Sequence, residues 1–102
     1  MKIIEKLSNM IEDELDGAKC YAEKAIELKD TDKRLSTLFN NLSEQEMNHM
    51  NQLHAEVVRL IDEYRQKNGE PPAGMMTLYE YLHKKHIDKA AKIKSLQALY
   101  RE

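Results

Sequence analysis

Between Ile3 and Leu28 the residues Ile4, Leu7, Ile11, Leu15, Ala18, Ala22 and Ala25 recur every three or four positions with no proline among them. That spacing lines one face of an α-helix and is wrong for a strand, whose faces alternate with a period of two. The composition agrees. Three Gly, two Pro, five Tyr, one Phe and no Trp in 102 residues leave too few turn-formers and aromatics for a sandwich or barrel. The chain is expected to be all-α and to form a single helical domain over 1–102. A monomer of this size buries only roughly 60 to 65% of its unfolded surface, so long helices call for a further subunit to cover their apolar stripes.

Helix one is predicted over about 2–29 and ends before Asp30-Thr31-Asp32, which offers N-cap oxygens for a second helix. Helix two, over about 32–67, carries Leu35, Phe39, Leu42, Met50, Leu53, Val57, Leu60, Ile61 and Tyr64. So short a link forces an antiparallel hairpin. The segment Asn68-Gly69-Glu70-Pro71-Pro72 then stops helix two. Helix three follows over about 75–101, with a stripe read as Leu78, Leu82, Ile93, Leu96 and Tyr100.

Charge narrows the function classes. Sixteen Lys and Arg against 18 Asp and Glu give a formal net charge of −2, without the basic field that draws a protein to nucleic acid. No apolar run is long enough to span a membrane, and Lys2, Glu5 and Lys6 break the N-terminal hydrophobics. Cys20 stands alone, which fits a reducing, cytoplasmic setting and excludes a multi-cysteine metal centre built by one chain. The lysines Lys84, Lys85, Lys89, Lys92 and Lys94 spread around helix three as a solvated face. The alternative is that they meet the acidic segment Glu12–Asp16 of another subunit.

The informative residues are the polar ones that fall on apolar faces. On helical wheels, Glu14 lies inside the apolar arc of helix one, and Glu46 and His49 lie inside that of helix two. A buried carboxylate must neutralise or find a counter-charge. Counting outward from the link at about 1.5 Å per residue, Glu14 falls axially between Glu46 and His49, within about 3 Å of each. Two Glu and one His in one layer ask for a cation. Glu46 and His49 also form Glu-x-x-His, but that motif is weak alone, and a second copy stands at Glu80 and His83. The layer argument rejects this copy: helix three should cross the layer near Leu96, which leaves Glu80 about 24 Å away.

Glu14, Tyr21 seven residues later, and Glu46-Met47-Asn48-His49 on the next helix together resemble one half of a ferritin-like diiron protein of the rubrerythrin or short encapsulated-ferritin kind. The resemblance covers roughly residues 3 to 65. It implies a homodimer whose paired hairpins make one four-helix bundle, with Glu14, Glu46, His49 and their symmetry mates around two metals. In that family pattern Glu46 bridges two irons, Glu14 chelates one, His49 binds through one ring nitrogen and Tyr21 hydrogen-bonds to the ligands from behind. The implied reaction is oxidation of Fe(II) by dioxygen or peroxide, with manganese or zinc compatible with the same donor set.

Blander readings stand beside these. Glu14, Glu46 and His49 also suit a metal-free polar layer that sets register in a non-enzymatic helical assembly or adaptor module. Tyr21 also suits a helix interface, and His86 a satisfied interface histidine. His54 and His83 read as flank residues, Glu56 as one half of a surface pair, and Cys20 as unreactive.

Overall fold

The computed structural model describes residues 2–102. Three helices account for nearly all of them: α1 (Lys2–Glu27), α2 (Lys33–Asn68) and α3 (Ala73–Arg101). They run up, down and up in a rod of 55 × 19 × 18 Å. The expected boundaries stand within two residues throughout; α1 ends at Glu27, and a four-residue turn follows it. Asp32 caps α2, its carboxylate accepting from the Leu35 amide at 3.1 Å. At the other end Gly69 takes φ 78°, a left-handed conformation that lets its N–H reach Arg65 O at 3.0 Å and that a side chain would resist.

The core is a seam of alternating four- and three-residue steps. On α1 it runs through Ile4, Ser8, Ile11, Leu15, Ala18, Ala22 and Ala25; on α2 it runs through Ser36, Asn40, Ser43, Met47, Met50, Val57 and Ile61. This is the heptad pattern of a coiled-coil interface, and it keeps its period where the residue is polar. Two of the polar members, Ser36 and Ser43, are bonded across the helices. Ser43 Oγ donates to Ala18 O at 2.7 Å and accepts from Gln97 Nε2 at 3.0 Å, which ties all three helices at one level, and Ser36 Oγ donates to Ala25 O. The small residues Ala18, Ala22 and Ala25 let α2 come close enough for those serines to reach α1's backbone.

α3 lies mainly on α1 and touches α2 far less. Its buried residues are His86, Ile93 and Gln97, with Tyr79 and Ala90 packed against the core. Leu78, assigned to this stripe from sequence, is 44% exposed. The wheel fails there because α3 buries a narrow line made partly of polar residues, so the largest aliphatics do not mark it. Lys89 joins Glu12 and Asp16 of the same chain, and His86 Nε2 lies 2.9 Å from Glu12 Oε2. The acidic segment of α1 is thus met within the chain.

Candidate metal centre

The hairpin carries a second seam, one residue ahead of the first on both helices. On α1 it comprises Ile3, Leu7, Met10, Glu14, Gly17 and Tyr21; on α2 it comprises Leu35, Phe39, Leu42, Glu46, His49, Leu53, Glu56 and Leu60. α3 does not cover it. Its members are exposed or half-buried, and its aliphatic positions bracket the polar ones at mid-length.

Glu14, Glu46 and His49 meet there. One ligand atom from each lies within 4.8 Å of the other two, and no other such group of three occurs among the described residues. His49 Nδ1 stands 3.5 Å from Glu14 Oε2, too long for a good hydrogen bond. Glu14 Oε2 is sequestered from solvent without a donor, which is a costly state for a carboxylate oxygen. Glu46 is held protonated to higher pH than an ordinary carboxyl. Its hydrogen bond to Glu14 is the largest cause, followed by burial and by Glu14's charge, with His49 pulling the other way. Two carboxyls brought together, one of them with an oxygen that no donor reaches, make a site of crowded negative charge.

Gly17 completes the cradle. A Cβ placed on it would come within 3.2 Å of Glu46 Oε2, so glycine in mid-helix, otherwise unfavourable by about 1 kcal/mol relative to alanine, leaves room for the carboxylate. An open groove of about 550 Å³ beside the triad is lined by Met10, Glu14, His49, Gln52, Leu53 and Glu56, among others. Hard oxygen donors with one imidazole suit iron, manganese or zinc, and the orphaned oxygen of Glu14 fits a cation's demand for a lone pair.

The layer argument therefore brings the three expected residues together, but their exposure differs from expectation. His49 was expected to face inward, yet its side chain is 55% exposed, against 27% for Glu14, because it sits on the uncovered second seam. Tyr21 stacks on Phe39 with ring centroids 5.9 Å apart, an aromatic contact between α1 and α2. Glu80 and His83 stay outside the triad, and Glu56 pairs with Arg59 at 2.6 Å. His54 and His83 are not flank residues: their rings stack across α2 and α3 at 4.8 Å. The signal that would have found them, and Ser36, Ser43 and Gln97, is the heptad register itself, continued through polar positions. Gly17 was legible as a mid-helix glycine three residues after Glu14.

No helix of the described residues is long and apolar enough to cross a membrane. No protein-family model, curated protein or solved structure matches the chain, so the functional reading rests on the residues of this site.

Proposed function

We propose that the chain is a ferritin-like diiron protein that oxidises Fe(II) with dioxygen or peroxide at a site shared by two copies. The observation that carries this reading is the Glu14–Glu46–His49 triad, with an orphaned carboxylate oxygen, at the centre of an uncovered heptad seam. Pairing two hairpins through that seam makes a four-helix bundle and brings two triads to one layer, four carboxylates and two imidazoles in all.

Iron, when bound, supplies the electrons that reduce the oxidant. The chain's own residues prepare the charge and the proton. Glu14 and Glu46 offer the negative charge that a divalent cation neutralises, and a cation there would favour the ionised form of Glu46. His49 adds a nitrogen donor, and Met10 and Leu53 line the groove beside it. The second reading keeps the same triad as a metal-free polar layer that sets the pairing register of an assembly module.

The test is metal content after anaerobic Fe(II) reconstitution, run beside Glu46→Ala, followed by admission of air. About one iron per chain, absent in the variant and converted to a ferric absorbance faster than free Fe(II), supports the diiron reading. Metal-free protein in both arms, with Glu46→Ala changing only stability or oligomeric state, overturns it in favour of the assembly module.

A further inference from the structure

His54 sits on the heptad seam of α2, where the pattern calls for an apolar residue, and stacks on His83 of α3 with centroids 4.8 Å apart and planes 11° from parallel. Tyr79 extends the stack on the other side of His83 at 5.6 Å. His86, buried, lies one turn along α3. His54 and His83 meet at the α2–α3 contact, the thinnest in the molecule. His54 Nε2 has no hydrogen-bond partner and no access to solvent.

We propose that the His54 ring stacked on His83, with His86 beside them, forms a proton-operated catch: when His54 and His86 take up protons in mildly acidic solution, the first half of α3, residues 73–86, loosens from the hairpin while residues 89–101 stay clamped.

Two stacked rings tolerate one charge poorly and two charges worse, since protonation needs hydration that the stack denies and sets like charges in contact. Burial holds His54 below the ordinary imidazole value of 6.5, and His83 adds to the effect. Burial also lowers His86, which Glu12 of α1 offsets in part and Lys89 and His83 reinforce. The charged or titratable groups around the rings are Glu12 from α1 and Tyr79, Lys89 and Lys94 from α3. Only Glu12 is anionic, and Lys89 already engages it. With lowered values in the folded state, the unfolded segment binds more protons, so stability is full above about pH 6.5 and falls as the pH drops through the folded values.

The second half of α3 is held by anchors other than histidine. Gln97 bonds to Ser43, Tyr100 OH lies 3.0 Å from Thr37 Oγ1, Arg101 meets Glu44 at 2.9 Å, and Lys89 holds Glu12 and Asp16. The catch is independent of the metal reading, because none of its rings is a member of the triad.

Hydrogen exchange read by segment tests it. Between about pH 7.5 and about pH 5.5, protection of residues 73–86, corrected for intrinsic rates, should fall at least about tenfold while 2–27 and 89–101 keep theirs. His54→Phe keeps a ring in the stack and should abolish the drop. Should that variant fail to fold, titration of the imidazole resonances of the wild-type protein decides alone: His54 titrating below the ordinary histidine value together with amides of 73–86 supports the catch. Uniform loss of protection along α3, an unchanged drop in His54→Phe, or titration of His54 at its ordinary value overturns it.

Discussion

Gly17 sets two residue-scale effects against each other. Replacing it with alanine removes a helix-weakening residue, a gain of about 1 kcal/mol, but places a methyl carbon 3.2 Å from Glu46 Oε2. The carboxylate ends a flexible side chain and yields a few tenths of an ångström at little cost to the fold. We expect Gly17→Ala to raise the thermal midpoint of the metal-free protein and to weaken Fe(II) or Mn(II) binding severalfold. Calorimetry of both proteins, with and without metal, checks the two signs separately. An equal effect with and without metal would show that the glycine serves packing alone. Glu46 gives a second pH dependence, opposite to that of the histidines. Its carboxyl is raised above the ordinary glutamate value of 4.5, so this contribution to the metal-free hairpin is full below that value and is lost as the pH rises through the higher folded value. Divalent metal should remove this loss, which denaturant unfolding across the acid range measures.

At the scale of the helix, polar residues inside the heptad seam carry much of the specificity. Ser43 is fully buried and binds a backbone carbonyl of α1 and a side-chain amide of α3 at once. Ser43→Ala leaves the buried Gln97 amide and the Ala18 carbonyl short of partners, and we expect a loss of about 1–3 kcal/mol in denaturant unfolding. Pairing it with Gln97→Leu should recover part of that loss, since an apolar pair leaves no amide unsatisfied; additive losses would refute the coupling. The same residues explain what could be read from the sequence. The helix count, the hairpin and the level of Glu14 between Glu46 and His49 follow from period and link length, which are local properties. The wheels for α2 merged two seams into one broad arc, because Leu35, Phe39, Leu42, Leu53 and Leu60 on the second are as apolar as Met47, Met50, Val57 and Ile61 on the first. They therefore placed His49 inside. The line of α3 was legible in part: Ile93 and the interface histidine His86 stand on it as expected, whereas Gln97 is buried by its bond to Ser43 on another helix, which no local pattern announces.

For the molecule as a whole, the two seams pose a problem of coverage. α3 closes one, and the other leaves Met10 45% and Ile3 46% exposed, with Leu35 at 40% on the facing helix. The chain exposes 6812 Å², whereas a compact monomer of 12.0 kDa exposes about 6,000 Å². The excess, roughly 800 Å², equals one partner's share of a standard protein interface. An isologous pairing of second seams would bury such an area and, by symmetry, set each triad against its mate. Met10 is the residue with which to test it, because its side chain borders the triad's groove yet is not among the buried core residues. Met10→Lys adds a charge to the seam and replaces no triad residue, although it stands one turn from Glu14 on the same face. We expect sedimentation of the wild-type protein to give a dimer and Met10→Lys a monomer of unchanged helicity. Iron bound per chain should fall together with the dimer fraction, since each monomer retains only three protein ligands. A wild-type protein that stays monomeric at all concentrations while binding one metal per chain would assign the site to a single hairpin and remove the shared centre. A Met10→Lys dimer with full metal content would place the pairing surface elsewhere.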